Sequence, residues 1–210
     1  MRTLVIETAT AACSIALIEG GRVIANAHDV VGRGHAERLI PMIAALPDEG
    51  RSPRILVDVG PGSFTGVRVG LAAARGLAIG WGAEVHGYSS LALIAAAGFA
   101  ADPARAQLAV VLEGGHGEVF MQVFNASPFG AQAPLQSLLP GAAIEALAGI
   151  AAIGSGIRRL AEVAPDYPLA EAWPNAIDAA LLPPEFASLP PSPIYGRAPD
   201  AKTLAERGLA

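Results

Sequence analysis

The stretch that decides the fold of this chain is a glycine-rich loop that opens an alanine-rich segment: Gly60-Pro61-Gly62-Ser63-Phe64-Thr65-Gly66-Val67-Arg68-Val69-Gly70. The apolar residues 55–57 before it predict a β-strand, and residues 66–81 have high helix propensity. A loop before a helix suggests backbone amides directed at an anion. Neither a P-loop nor a dinucleotide fingerprint fits, because no lysine follows and position 65 is Thr. The alternative is a structural loop whose glycines let chain segments approach closely.

Small residues recur every four positions along the helix predicted for residues 66–81, so they share one face. They are Gly66, Gly70, Ala74 and Ala78. A face of this kind is typical of internal packing and also of dimer interfaces, and the pattern leaves both open. Arg68 and Arg75, together with the short length of the segment, exclude a membrane span.

Length and composition limit the class of protein. A chain of 210 residues forms one large domain or two small ones. With 52% hydrophobic and 16% charged residues it is globular, and a net charge of −5 argues against an autonomous nucleic-acid binder. The single cysteine, Cys13, excludes an internal disulfide and fits a reducing compartment. Since the N-terminus shows no signal peptide, we expect a soluble, cytoplasmic protein.

One pattern occurs twice: an apolar strand with an acidic residue at its end, a small-residue turn and a second apolar strand. It spans residues 3–19 and returns in residues 107–124. The repeat predicts two related α/β halves, residues 1–103 and 104–210. Six prolines within residues 183–199 exclude regular structure and predict an extended, wrapping tail.

Other elements are less regular. Leu39, Ile40, Ile43 and Leu46 indicate an amphipathic helix. Pro41 costs about 3 kcal/mol inside a helix and little in its first turn, so this helix starts near Arg38 or kinks at Pro41. The stretch after residue 124 is irregular until a helix at 142–147, and a last short helix is predicted at 200–207.

Two carboxylates end equivalent strands of the two halves, Glu7 and Glu113. In a duplicated α/β fold with a central cleft, such acids face each other, which suits a magnesium nucleotide with its phosphates held by the following turns. The missing lysine and the longer glutamate side chains favour a vestigial site. We expect no cofactor, with weak or vestigial nucleotide binding at most. The residues of this cleft are Glu7, Thr8, Thr10, Glu113, Gly154 and Gly156.

The sequence gives little support for a metal site or for a catalytic nucleophile. The four histidines, His28, His35, His86 and His116, show no pair at the i, i+4 spacing of a zinc protease, so no metal site is expected. Cys13 and Ser14 lie in a predicted strand without a nearby histidine, which favours a buried position. Ser63 lacks the flanking pattern of a nucleophile elbow.

Several stretches match one known family: Leu4-Val5-Ile6-Glu7-Thr8-Ala9-Thr10, His35 with Leu39-Ile40-Pro41-Met42-Ile43, the glycine loop through Ala78, Gly87-Tyr88-Ser89-Ser90-Leu91, Gly117-Glu118-Val119-Phe120 and Ile194-Tyr195-Gly196-Arg197. The chain resembles the bacterial TsaB (YeaZ) proteins, relatives of the actin, Hsp70 and sugar-kinase superfamily. The resemblance implies an α/β, actin-like (ASKHA) fold of two duplicated, ribonuclease H-like halves, in degenerate form.

The resemblance also implies a function. TsaB-like proteins are non-catalytic partners of a TsaD-type subunit, which forms N6-threonylcarbamoyladenosine at position 37 of tRNAs that read ANN codons. A TsaE-type ATPase joins the assembly, and tRNA contacts the TsaB-like subunit only indirectly. The helices at 35–46 and 66–81 contact TsaD, or a second copy when TsaD is absent. The implied interface residues are His35, Leu39, Ile43, Gly66, Arg68, Gly70, Ala74, Arg75 and Ala78.

The sequence departs from this family at a few positions. Glu7 and Glu113 stand where the family has aspartates, and Leu39 stands where the catalytic relative has the second histidine of a metal pair. The alternatives to a scaffold subunit are a free-standing ATPase or small-molecule kinase of the same fold, and a metallopeptidase, which requires a bound metal.

Overall fold

The computed structural model describes residues 1–196 and contains two mixed sheets, one in each half of the chain. The first sheet consists of β1 (Arg2–Glu7), β2 (Ala12–Glu19), β3 (Arg22–Val30), β4 (Arg54–Asp58) and β5 (Glu84–Tyr88). Its strand order is β3-β2-β1-β4-β5. The first three strands form an antiparallel meander, and β4 and β5 continue the sheet in parallel with β1.

The second sheet repeats this arrangement. It consists of β6 (Gln107–Glu113), β7 (Val119–Ala126), β8 (Phe129–Ala131), β9 (Gln136–Leu138), β10 (Ala152–Ile153) and β11 (Leu169–Ala170). The order β8-β7-β6-β10-β11 reproduces that of the first sheet, with β9 as a further partner of β7. The duplication predicted from the sequence is confirmed. The interpretation of the stretch after residue 124 as irregular is wrong, because β7 continues to Ala126 and β8 and β9 extend the meander.

Among residues 1–196, five α-helices accompany the strands: α1 (His35–Ala44), α2 (Phe64–Trp81), α3 (Ser90–Ala101), α4 (Pro140–Leu147) and α5 (Ile157–Ala161). The bounds of α2 follow from its ends: the Ser63 hydroxyl accepts a hydrogen bond from the Gly66 amide, and Gly82 adopts the left-handed conformation that ends helices. Helix α1 begins at His35, so Pro41 lies in its interior. The predicted start near Arg38 is therefore wrong.

Helix α3 joins the two halves. It is apolar on every side, and residues 90–96 are all buried. It shares one buried cluster with Val5 and Leu56 of the first sheet, and it contacts the strands of Val110 and Phe124 in the second. A helix that is hydrophobic all round belongs in a core. Because α3 occupies the space between the sheets on one side, a cleft remains between the halves on the other.

The C-terminal segment returns to the first half. A 3₁₀-helix at Ala176–Leu181 packs on β2, where the Ser14 hydroxyl accepts a hydrogen bond of 3.0 Å from the Ala176 amide. The tail was predicted to lack regular structure, which is wrong for Pro184–Ala187, a second 3₁₀-helix that contacts β5. The helix predicted at 200–207 lies outside the described residues.

Candidate functional site

A cleft of about 630 Å³ lies between the two halves, a volume within the range of small-molecule sites. The first half contributes the turn after β1 and the start of α2, and the second half contributes the end of β6. The C-terminal tail forms a third wall. Prominent lining residues are Thr10, Gly62, Phe64, Arg68, Glu113, Ser155, Trp173 and Tyr195. Of the predicted cleft residues, Thr10 and Glu113 line it directly.

Glu7 does not face this cleft. Its side chain is fully buried at the end of β1, where one carboxyl oxygen accepts a hydrogen bond from the Ala9 amide (2.9 Å) and the other accepts one from the Tyr88 hydroxyl (3.0 Å). The prediction that Glu7 and Glu113 face each other is therefore wrong. The strand order is symmetric, but β1 ends beneath Tyr88, whereas Glu113 at the end of β6 is exposed.

Glu7 is instead half of a buried pair of acids. Strands β1 and β4 are parallel neighbours, so Glu7 and Asp58 end at the same edge of the sheet. Asp58 accepts hydrogen bonds from the Gly60 amide (2.6 Å) and from the Ser90 hydroxyl (2.5 Å). Burial, and then the nearby charge of Asp58, raise the pKa of Glu7 well above its usual value of 4.5. Burial also raises the pKa of Asp58.

Asp58 has the amide and hydroxyl donors that stabilise a carboxylate, and these oppose the effect of burial on its pKa. A side-chain hydrogen bond joins the two acids. The pair ties the ends of β1 and β4 to the glycine loop and to the start of α3. Sequence analysis missed Asp58, Tyr88 and Ser90 as members of this network. The available signal was that Asp58 ends the strand parallel to the one that ends in Glu7.

The glycine loop uses its amides internally. The Ser63 amide donates to the Ala9 carbonyl (2.6 Å), and the Gly66 amide donates to the Ser63 hydroxyl (3.2 Å). A Cβ atom on Gly62 would lie 2.1 Å from the Ala9 carbonyl oxygen, and one on Gly66 would lie 2.0 Å from that of Thr8. The loop, residues 60–65, is thus structural, and its glycines permit close backbone contact.

The residues predicted to bind phosphate also form hydrogen bonds within their own chain. Thr8 donates its hydroxyl to the Gly66 carbonyl (2.8 Å) and points at α2. The amides of Gly154 and Gly156 donate to the Ala170 and Val111 carbonyls at 3.1 and 3.0 Å. Each of these hydrogen bonds lies within one half of the fold, and the amides of Gly154 and Gly156 are both engaged.

Ser155 differs from its glycine neighbours. Only 5% of it is exposed, it lines the cleft, and its hydroxyl has no hydrogen-bond partner among residues 1–196. The Thr10 hydroxyl, also in the cleft wall, accepts a hydrogen bond from the Ala12 amide (3.2 Å). The cleft wall thus carries two hydroxyl groups, that of Thr10, which was predicted, and that of Ser155, which was not.

Most of the predicted interface residues are internal. His35, Leu39 and Ile43 are buried on the inner side of α1, and the His35 ring lies 3.1 Å from the Ala12 carbonyl. On α2, the small-residue face packs on its own sheet: a Cβ atom on Gly70 would lie 2.5 Å from the Thr8 hydroxyl. Six of the predicted interface residues are therefore buried within their own chain, and their contact with a partner stays a prediction. They are His35, Leu39, Ile43, Gly66, Gly70 and Ala74.

The opposite sides of α1 and α2 are exposed and apolar. We call this surface the outer face and define it by Ile40, Ala72, Gly76, Ile79 and Gly80. Ile40 is 48% exposed and Ile79 is 87% exposed, and a Cβ atom on Gly76 or Gly80 would meet nothing within 4 Å. The two helices that carry these residues contact each other. Ala78 is partly exposed at its margin.

The two arginines of α2 contact the tail of their own chain. Arg68 donates to the Tyr195 hydroxyl (2.7 Å) and to the Phe64 carbonyl (3.0 Å), and its guanidinium lies over the Phe64 ring. Arg75 donates to the Pro191 carbonyl (2.7 Å). Both guanidinium groups remain near the edge of the outer face.

Two kinds of feature are absent from residues 1–196, a metal site and a membrane-spanning helix. Within this range, no cluster of three or more His, Cys, Asp or Glu side chains has the arrangement of a metal site. None of the helices there combines the length and the hydrophobicity that crossing a membrane requires.

Comparison with known proteins gives a consistent result. A family model for TsaD, tRNA N6-adenosine threonylcarbamoyltransferase, matches residues 24–128, which is half of the chain. The Escherichia coli tRNA threonylcarbamoyladenosine biosynthesis protein TsaB is 40% identical over 129 residues, 57% of this chain and 53% of that protein. The chain spans about half the length of the curated relatives it matches.

Two crystal structures from Pseudomonas aeruginosa agree over nearly the full length. An uncharacterized protein with similarity to peptidase YEAZ has a TM-score of 0.76 at 28% identity, covering 93% of this chain and 99% of the solved one. YeaZ itself has a TM-score of 0.75 at 26% identity and covers 92% of this chain and 99% of its own. The duplicated actin-like fold, the family model and these relatives together assign the chain: it belongs to the TsaD family and, within it, to the TsaB (YeaZ) proteins.

Proposed function

We propose that this chain is the non-catalytic subunit of the assembly that forms N6-threonylcarbamoyladenosine at position 37 of tRNAs that read ANN codons. Its role is to bind and support a TsaD-type transferase. The name of its E. coli relative, a tRNA threonylcarbamoyladenosine biosynthesis protein, supports the pathway. A TsaE-type ATPase joins the assembly, and the net charge of −5 fits a subunit that meets tRNA only through its partners.

The outer face is the observation that carries this proposal. Ile79 leaves 87% of its surface in water, and burying such a side chain in an interface contributes about 1.5–3 kcal/mol. Gly76 and Gly80 beside it allow the backbone of another helix to come close. A TsaD-type subunit occupies this face in the assembly, and a second copy of this chain occupies it when that subunit is absent.

The absence of catalysis rests on the fate of the predicted nucleotide residues. Glu7 is fully buried and hydrogen-bonded to the Ala9 amide, Tyr88 and Asp58, so it is not placed to orient a hydrated metal ion. The amides of Gly60, Ser63 and Gly66 donate to backbone and side-chain acceptors of the same chain. We infer that both features were retained because they hold the fold together.

Copurification with the TsaD-type subunit, followed by a tRNA modification assay, tests the proposal. We expect the wild type to bind and to support modification, and Ile79→Glu to lose both while its unfolding curve is unchanged. Val163→Glu is the matched control, because Val163 is 55% exposed but lies in the second half, away from the outer face. Binding by the Ile79 variant equal to that of the control would refute the assignment of this face.

A second candidate function is a free-standing ATPase or small-molecule kinase. The cleft volume of about 630 Å³ and the unpartnered Ser155 hydroxyl favour it. Phosphate release from ATP by the purified chain separates the candidates. Our proposal expects no turnover, whereas turnover that Ser155→Ala diminishes would support the second candidate.

A further inference from the structure

The tail between Ser188 and Gly196, which we call the strap, connects α2 with the cleft. Leu189 exchanges backbone hydrogen bonds with Gly87 at the end of β5 (2.6 and 3.0 Å), and the Ile194 amide donates to the Val59 carbonyl (2.7 Å). Residues Pro193 through Gly196 form one wall of the cleft. The strap is therefore anchored at one end and lines the cleft at the other.

Arg68 and Arg75 hold the strap against α2. They lie seven residues apart on the helix, about 10.5 Å along its axis. Arg75 bonds the Pro191 carbonyl and Arg68 bonds the Tyr195 hydroxyl, each at 2.7 Å. All acceptors of these two cations are neutral, and within residues 1–196 neither guanidinium pairs with a carboxylate.

The charge of these arginines suggests what would displace the strap. Hydrogen bonds from a guanidinium to a carboxylate are shorter and about twice as strong as those between neutral groups. Arg75 is exposed and Arg68 is partly exposed at the edge of the outer face. A partner on the outer face that carries carboxylates opposite these positions competes with the strap for both cations.

We propose that the strap couples the outer face to the cleft. A docking partner with an acidic surface takes Arg68 and Arg75 from Tyr195 and Pro191, and the released strap opens the cleft wall. The inference rests on the proposed function, since it assigns the outer face to a TsaD-type subunit. Its new content is the acidic character of the docking surface and the effect of docking on the cleft.

Fluorine NMR of the chain labelled with 5-fluorotryptophan tests this coupling. The chain has two tryptophans: Trp173 lines the cleft, and Trp81 at the end of α2 lies outside it. Trp81→Phe assigns the two resonances, and an unlabelled TsaD-type subunit adds none. We expect the Trp173 resonance to shift on addition of that subunit. Without it, Arg68→Met/Arg75→Met should shift the resonance in the same direction, and Arg22→Met at the distant β2–β3 turn should leave it unchanged.

The outcomes separate this inference from the proposed function. If the subunit binds and Trp173 does not shift, the coupling is refuted and the proposed function stands. If the subunit does not bind at all, both are refuted. If the double arginine variant leaves Trp173 in its original environment, the strap does not depend on these cations, and the inference fails even though docking persists. A shift in the double variant and on docking supports it.

Discussion

Two glycines of α2, one packed against the sheet and one exposed, give the most direct test of how this helix is oriented. In Gly66→Ala the new Cβ atom would lie 2.0 Å from the Thr8 carbonyl oxygen, so the helix or β1 must move. Overpacking of this kind costs about 3 kcal/mol, the upper end of the usual range, because a backbone atom cannot rotate away. Alanine returns about 1 kcal/mol of helix propensity, which leaves a net loss of about 2 kcal/mol.

Gly76→Ala is the matched control in the same helix. Its Cβ atom would meet nothing within 4 Å, so only the propensity gain of about 1 kcal/mol remains. For a chain of this size the two changes correspond to a melting temperature about 4–8 °C lower and about 2–4 °C higher, respectively. Urea denaturation followed by circular dichroism measures the two changes in the free energy of unfolding, and thermal denaturation measures the two shifts in melting temperature. Equal stabilisation by the two substitutions would refute the orientation, because it would mean that the Gly66 side of α2 is open.

Two further predictions concern buried polar groups. As the pH rises from about 4.5, we expect the free energy of unfolding of the wild type to fall relative to that of Glu7→Gln, because the raised pKa of Glu7 means that unfolding releases its proton. Urea denaturation of both proteins at a series of pH values tests this, and a difference in free energy that stays constant with pH would contradict it. We expect Ser14→Ala to lose about 1–3 kcal/mol, because the Ala176 amide loses its acceptor and Asn175 its donor. Faster proteolysis after residue 170 should accompany this loss, and unaltered cleavage would argue against a role of Ser14 in anchoring the segment.

The sequence was sufficient for the architecture. The repeated pattern of an apolar strand, an acidic end, a turn and a second strand predicted the duplication, and the two sheets show it in their strand order. The alternation of apolar residues is a local property, so strands and helices could be located from it. The shortest strands, such as Phe129–Ala131, were missed because three residues carry no measurable periodicity.

The site was harder to predict, because its features depend on which neighbour covers a residue. A period of four shows that Gly66, Gly70 and Ala74 share a face, but the same pattern suits a core and an interface, and here it is the core. Glu7 was expected in the cleft by analogy with Glu113. The cover supplied by Tyr88 and Asp58 comes from distant parts of the chain and could not be inferred from the position of Glu7 at a strand end.

Glycine occurs in α2 both where the helix packs on the sheet and where it is exposed. Gly66 and Gly70 let the helix rest on the sheet, and Gly76 and Gly80 leave part of its exposed surface without side chains. A partner that binds at Gly76 and Gly80 therefore meets the backbone of α2 itself. A change in the volume of Val57 beneath the helix, or of Leu71 on its buried side, should shift that backbone and so reach the bound partner.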